Sequence, residues 1–307
     1  MLDRACRSLC FAGILIGASA ATLAQGLGER ELEEAGGRAG PARNPADVRV
    51  VRDVAYGDDA TQRFDVYAPA QAANAPVIFM VHGGAWRIGD KDMRYVVENK
   101  VARWVPRGFV FISTNYRMVP NADALEQAHD VARALAAAQR QAGQWGGDPH
   151  KFILMGHSAG AHLVALLGAS SDLGTAHGVQ PWLGVVALDS GAIDVPRIMS
   201  QRHFRFYDRA FGSQPERWQA ASPLHALASQ RPPLLLVCST RREGPCEEAD
   251  DFKSKAAALG TRVDISRQDK RHGAINQELG LPSAYTDIVE RFMASLDDDV
   301  ARRLGTH

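Results

Sequence analysis

The sequence lacks an excess of charge of either sign. Its 307 residues carry 35 Lys and Arg against 35 Asp and Glu, so that the formal net charge is zero. Proteins that bind a polyanion through long-range electrostatics usually carry a basic surplus. The balance therefore gives no indication of a nucleic-acid partner.

A long apolar run is also missing at the N-terminus, where a membrane anchor would need one. The apolar stretch from Leu9 to Ala20 is shorter than the roughly 20 residues that span a bilayer. A basic start precedes it, and small residues would allow cleavage after Ala20 or Ala24, which is typical of a secretory signal. We expect residues 1–24 to be a signal peptide, the protein to be secreted or periplasmic, and no stable membrane insertion after the signal is removed.

Cysteine is scarce, with four in the whole chain. Cys6 and Cys10 lie within the expected signal and would leave with it, so that Cys238 and Cys246 remain. An even pair in an oxidising compartment favours a disulfide. We predict that Cys238 and Cys246 are joined.

Sequence repeats are absent, and the chain instead reads as one domain after a Gly- and Pro-containing linker at residues 25–47. Val48–Ala55 and residues 62–68 have the spacing of an antiparallel hairpin. From Pro76 onward, apolar strands alternate with helices, which predicts an α/β fold with a mostly parallel sheet covered on both faces. We place the domain at residues 48–298, and interpret the weakly periodic residues 191–231 as an inserted, cap-like segment over the active site.

The pentapeptide Gly156-His157-Ser158-Ala159-Gly160 organises this domain. An apolar strand-like run enters it and a helical run of small residues leaves it. This is the strand–turn–helix context of a nucleophile elbow, in which a serine sits on a sharp turn at the edge of a sheet. The sequence therefore predicts Ser158 as a nucleophile.

A second stretch, His82-Gly83-Gly84, follows the buried-strand run Val77–Val81. Glycines at this point let the backbone itself approach a substrate and offer N–H groups to an oxyanion. The stretch lies about seventy-five residues before the elbow, in the order that such a fold requires.

With both motifs in place, the chain resembles the α/β-hydrolase superfamily, and more closely its His-Gly-Gly and Gly-x-Ser-x-Gly esterases, which include feruloyl-esterase-like and kynurenine-formamidase-like proteins. The resemblance implies that Ser158 is the nucleophile and that Gly83, Gly84 and Ala159 donate the oxyanion-hole N–H groups. It also implies that the base lies in the loop after the last strand, where His272 is found. His82 is expected to brace the oxyanion loop, His157 to support the elbow, and His162 to pack in the core.

Such hydrolases use a triad of a serine, a histidine and an acid. The acid of this chain departs from the family pattern. The resemblance places an acid just after the strand ending at Cys238, but residues 239–246 contain no aspartate. Glu243 is the nearest carboxylate, and we predict that it is the acid. Asp189, at the end of an earlier strand, is the main alternative, and Glu247, Asp194 or the absence of an acid remain open beside it.

The function that this pattern predicts is a serine carboxylesterase acting on small or medium esters through an acyl-enzyme, with no metal and no cofactor. A formamidase-type amide hydrolase would use the same residues with a different pocket. A non-catalytic binding protein on the same fold is the alternative from another class, since a fold does not fix function. The sequence leaves the acyl and alcohol parts of the substrate open, and also the oligomeric state.

Overall fold

A computed structural model describes residues 47–305 of the chain, so that the expected signal peptide and nearly all of the expected linker lie outside the described residues. Within this range the backbone forms an eight-stranded sheet with the strand order β1-β2-β4-β3-β5-β6-β7-β8. The strands are β1 Val48–Ala55, β2 Arg63–Pro69, β3 Ala75–Val81, β4 Val110–Thr114, β5 Gly147–His157, β6 Gly184–Leu188, β7 Leu234–Ser239 and β8 Val263–Gln268.

The first two strands form the antiparallel hairpin that the sequence predicts. β1 pairs with β2, and β2 in turn pairs antiparallel with β4. β1 has no fully buried residue, whereas five consecutive residues of β2 are buried. The hairpin thus closes one edge of the sheet with its more polar strand outermost, which protects that edge from pairing with another chain.

The remaining pairs, from β4 to β8, are all parallel. Every residue of β3, β4, β6 and β7 is buried, as expected for strands that are covered on both faces. The prediction of a mostly parallel sheet with an N-terminal antiparallel hairpin is confirmed.

Helices cover both faces of the sheet and define two hydrophobic cores. The helices are α1 Arg94–Trp104, α2 Ala124–Gln141, α3 Ala159–Ala169, α4 Asp172–Thr175, α5 Val195–Met199, α6 Arg205–Phe211, α7 Pro215–Ala220, α8 Pro223–Ala226, α9 Pro245–Ala258, α10 His272–Gln277, α11 Ala284–Ala294 and α12 Asp298–Leu304. One core packs α2 and α3 against the sheet, and the other packs α1 and α11 against the opposite face. All of α3 is buried, because it lies between the sheet and further helices.

Residues 191–231, between β6 and β7, contain the four short helices α5 to α8. Tyr207 and Phe211 from α6 join the larger core, while Phe204, Phe206 and Trp218 pack against it partly exposed. The aromatic residues that weaken the periodicity of this stretch are therefore those that attach it to the domain.

The last helix, α12, was not predicted from the sequence and extends past residue 298. Asp297 caps its first turn, and Arg303 donates to the carbonyl of Gly108. Among the described residues, no helix is both long and apolar enough to cross a membrane.

Candidate active site

Ser158 lies at the turn between β5 and α3, with φ 55° and ψ −117°. A non-glycine residue rarely adopts a positive φ, and such strain persists only where the surrounding structure enforces it. The backbone around Ser158 is held on both sides: its N–H donates to the carbonyl of Leu188, and its carbonyl accepts from Gly191. The serine therefore has the strained strand-to-helix geometry of a nucleophile elbow.

The glycines on either side of Ser158 are required by close contacts. A side chain at Gly156 would place its Cβ 2.3 Å from the carbonyl oxygen of Gly160, and one at Gly160 would lie 2.2 Å from that of Val81. Neither distance is sterically possible, and in both cases the clash is with backbone, which cannot move aside. This is why strand and helix can fold so closely together at this turn.

The loop after β3, residues 82–86 and here called the oxyanion loop, lies directly against the elbow. A Cβ at Gly83 would be 3.0 Å from that of Ser158 and 2.8 Å from the carbonyl oxygen of His157. Gly84 has φ +127°, in a region that side chains rarely adopt, and its carbonyl accepts from Arg87 and Ile88. Ala159, the residue after Ser158, opens α3. Of the three residues that the resemblance selects for the oxyanion hole, Ala159 follows Ser158 directly and Gly83 packs against it, while Gly84 is the next residue of the same loop.

Two buried histidines, His82 and His157, support this arrangement. Nδ1 of His82 donates to the carbonyl of Gly83, and its ring stacks on Tyr116. Nε2 of His157 donates to the carbonyl of His272 at 3.0 Å. Burial lowers the pKa of His157 well below its usual value, so that this ring is neutral.

His162 belongs to the core, one turn into α3. Its Nδ1 accepts from the indole of Trp86 at 3.1 Å and its Nε2 donates to the carbonyl of Ala221 at 2.7 Å. Burial lowers its pKa to about 4, which leaves it neutral. Because both nitrogens are occupied, this histidine joins the oxyanion loop to the end of α7 and cannot act as a base for Ser158.

The imidazole of His272 is paired with the carboxylate of Asp189. Nδ1 donates to Oδ2 of Asp189 at 2.5 Å, and the side chains are 3% and 0% exposed. His272 opens α10 after β8, and Asp189 follows β6, so that both lie at the same edge of the sheet as Ser158. A carboxylate on Nδ1 fixes the tautomer in which Nε2 is available to take a proton.

Three further contacts hold Asp189 in place. Its backbone N–H donates to Val237, its Oδ1 accepts from the N–H of Ser239, and its Oδ2 accepts from Nη1 of Arg242 at 2.9 Å. The residue has φ 49°, a left-handed conformation that aspartate tolerates better than most residues. Burial alone would raise the pKa of Asp189, but the hydrogen bond from His272 and the charge of Arg242 outweigh it and hold this pKa well below its usual value.

The structure brings Asp189, and not the predicted Glu243, to His272. Glu243 is exposed, and neither a hydrogen bond nor an ion pair links it to His272 within residues 47–305. Its neighbour Arg242 turns inward in its place and binds Asp189. The alternatives Asp194 and Glu247 have other partners: Asp194 caps α5, and Glu247 pairs with Arg197. The contact with His272 is therefore made from the end of β6, by the main alternative Asp189, and not from the loop after β7.

The loop between β7 and α9 is closed by the predicted disulfide, since the sulfurs of Cys238 and Cys246 are bonded. The bridge encloses Ser239 and Arg242, the two residues of this loop that hold Asp189. The prediction of this disulfide is confirmed.

Residues 191–231 cover the oxyanion loop through aromatic contacts. The buried indole of Trp86 packs on Tyr207 and Phe211, and the hydroxyl of Tyr207 donates to the carbonyl of Gly191 at 2.6 Å. A Cβ at Gly191 would be 3.1 Å from Trp86 and 3.7 Å from the nitrogen of Ala159. The sequence did not single out Gly191 or Tyr207, whose place beside the elbow depends on the path of the chain after β6.

Comparison with curated proteins finds esterases. The chain is 29% identical over 225 residues to esterase LipC of Mycobacterium tuberculosis, covering 68% of this chain and 55% of that protein. It is 27% identical over 288 residues to the isoprenylcysteine alpha-carbonyl methylesterase ICME of Arabidopsis thaliana, covering 83% and 64%. The chain thus spans between about half and two thirds of the length of these relatives.

A third relative is the kynurenine formamidase of Danio rerio, 29% identical over 164 residues, which are 53% of each chain. Among solved structures, esterase B of Lactobacillus rhamnosus with a bound tributyrin phosphonate inhibitor superposes with a TM-score of 0.71, at 20% identity and over 95% of this chain and all of that one. This likeness shows the α/β-hydrolase fold.

The family model named BD-FAE matches residues 64–255, from the second strand of the hairpin through most of α9, and so includes the oxyanion loop, the elbow and Asp189. The matched segment is well over half of the chain. The expected resemblance to the esterases of the α/β-hydrolase superfamily is confirmed, and the chain belongs to the BD-FAE family.

Proposed function

We propose that the protein is a serine carboxylic ester hydrolase in which Ser158, His272 and Asp189 form the catalytic triad. The observation that carries the proposal is the buried pair of His272 and Asp189, at the same sheet edge as a serine held in a strained elbow. The esterases among the relatives support the reaction class.

The geometry supports the following reaction. Asp189 holds Nδ1–H of His272, which leaves Nε2 to take the proton of Ser158 as its hydroxyl attacks the acyl carbonyl. Because Asp189 stays ionised, it stabilises the imidazolium that forms. His272 then returns the proton to the leaving alcohol, and water releases the acyl group by the same two steps.

The oxyanion of each tetrahedral intermediate would be bound by the N–H groups of Ala159, Gly83 and Gly84. Ala159 lies at the first position of an 11-residue helix, where the N–H groups are not used within the helix and the helix dipole favours negative charge. Donors that are fixed before the reaction cost no reorganisation in the transition state.

An amide hydrolase of the formamidase type is the second candidate, and the similarity to the zebrafish kynurenine formamidase favours it. The same triad would serve, with an amine as the leaving group. Turnover of acetate and butyrate esters compared with N-formylkynurenine separates the two. An ester preference of at least about a hundredfold in kcat/KM supports the first candidate, and the reverse preference supports the second.

Replacing the nucleophile tests the proposal that both candidates share. We expect Ser158→Ala to lower kcat for p-nitrophenyl acetate by about four to six powers of ten, as when other triad serines are removed. The wild-type protein should be labelled by a fluorophosphonate and the variant should not. A variant that keeps more than about a tenth of the activity, or a wild type that neither turns over nor labels, would favour a binding protein on this fold.

A further inference from the structure

Arg242 contacts both members of the buried pair of Asp189 and His272. Its Nη1 lies 2.9 Å from Oδ2 of Asp189 and 3.2 Å from Nδ1 of His272. Nδ1–H already donates to the same Oδ2 at 2.5 Å. Two donors, one of them always charged, therefore converge on a single carboxylate oxygen.

The position of Arg242 is built into the fold. Its side chain is 26% exposed, and it lies inside the loop that the Cys238–Cys246 bridge closes. The N–H of Ser239, in the same loop, holds the other oxygen of the carboxylate. The loop thus binds both oxygens of Asp189: the backbone N–H of Ser239 donates to Oδ1, and the guanidinium of Arg242 donates to Oδ2.

A fixed cation at this distance acts against a second positive charge on His272. When the imidazole takes a proton, the new charge lies next to the guanidinium, and the shared carboxylate neutralises only one of them. Like charges within about 4–6 Å disfavour the protonated form of a base. At acidic pH, Arg242 therefore favours the neutral imidazole, which is the form that can act as base.

We propose, on the basis of the proposed esterase function, that Arg242 is a positioning residue of the triad which orients Asp189 and keeps His272 in its neutral, active form at lower pH than Asp189 alone would allow. The esterase should consequently retain activity further into the acidic range than one with an unshared Asp–His pair.

Other titratable groups surround His272 and Arg242, and they are the same in every variant considered below. Tyr207 and Tyr285 are uncharged because burial raises their pKa values, and His157 is neutral as described. Lys100 in α1 donates to the carbonyl of Asn276 in α10, and burial lowers its pKa to about 7. Glu248 in α9 accepts from the N–H groups of Ile193 and Asp194, and Lys270 pairs with Glu278. A comparison of variants at residue 242 therefore isolates the effect of the guanidinium.

The test is the pH profile of kcat/KM for p-nitrophenyl acetate, from about pH 4 to 9, in four variants: Arg242→Gln, Arg242→Met, Arg242→Lys and Arg241→Gln. Arg241 is the matched control, because it is the adjacent residue, is 50% exposed and pairs with Asp269 on the surface. We expect loss of the charge in the Gln and Met variants to move the acidic limb upward by about one pH unit. The Lys variant should keep the limb within about 0.3 unit of wild type, and Arg241→Gln should not move it.

A purely structural role would lower kcat/KM equally at every pH and leave the limb in place. That result in a folded Gln or Met variant would overturn the proposal, and so would an equal shift in Arg241→Gln. Circular dichroism establishes which variants fold, and the Met variant keeps the apolar stem of the side chain should the Gln variant not fold. Failure of this test would leave the effect of Ser158→Ala unchanged, so that the proposed function and the role of Arg242 are judged separately.

Discussion

The carboxylates near His272 differ most in burial. Asp189 is fully buried and accepts from a histidine, an arginine and a backbone N–H, whereas Glu243 is exposed. A buried carboxylate needs such partners in order to remain ionised, and once ionised it stabilises a neighbouring imidazolium much more strongly than one in water. Of these two carboxylates, Asp189 is the one that contacts His272.

We expect Asp189→Asn to lower kcat by about four powers of ten, because the amide favours the wrong tautomer of His272. Glu243→Gln, the matched control from the same pair of candidates, should stay within about twofold of wild type, because substitutions of exposed side chains usually have small effects. Steady-state kinetics on both variants decides which of the two carboxylates supports His272. Loss of activity in Glu243→Gln with Asp189→Asn unaffected would return the acid to the loop after β7.

At the scale of elements, the loop between β7 and α9 contains the disulfide and also Ser239 and Arg242, which both donate to the carboxylate of Asp189. Cys238 is the next-to-last residue of β7 and Cys246 lies in the first turn of α9, eight residues later. Closing a loop of this length stabilises a protein by about 2.5 kcal/mol on the chain-entropy model. The bridge should also limit how far Ser239 and Arg242 can move from the carboxylate.

Removing the bridge should therefore affect stability and catalysis together. In a Cys238→Ala, Cys246→Ala variant we expect the free energy of unfolding in urea to fall by about 2.5 kcal/mol. We also expect kcat to fall by about threefold to tenfold while KM changes little, since the bridge acts on the triad and not on the substrate. Wild-type protein treated with a reductant is the control. Equal stability with and without the bridge would contradict the expected stabilisation, and an unchanged kcat would separate the loop from catalysis.

The sequence predicted most of the elements, because long buried strands and small-residue helices have strong local patterns. The elbow at Ser158 and the hairpin depend on neighbouring residues, and both were found. The pairing of His272 with Asp189 was not the predicted one, because the two residues are 83 residues apart and their contact depends on how β6, β7 and β8 align. A local pattern also does not show that Arg242 turns inward while Glu243 turns outward, since the bridge and the turn set these directions.

At the scale of the whole molecule, the disulfide agrees with folding in an oxidising compartment, and we propose that the protein is exported. Secretion into the periplasm or medium should yield a mature chain that begins near Ala21 or Gln25. Intact mass of the protein from that fraction measures this, together with a mass difference of two hydrogens upon reduction of the bridge. Material that retains Met1, or that has two free thiols, would contradict export.

The path of the chain after β6 has a consequence for attempts to change the specificity of the proposed esterase. Asp189 is followed two residues later by Gly191, where residues 191–231 begin, and Glu248 accepts hydrogen bonds from the N–H groups of Ile193 and Asp194 at that junction. Exchanging the whole of residues 191–231 for the equivalent segment of a relative would replace Gly191, whose N–H donates to the carbonyl of Ser158, and both residues whose N–H groups Glu248 accepts from. A chimera is better joined after residue 194 and before Ser222, whose hydroxyl donates to the carbonyl of Ile193. Within those limits the helices α5 to α7 become an exchangeable part, and libraries of acyl or alcohol pockets can be built there without disturbing the proton-transfer groups.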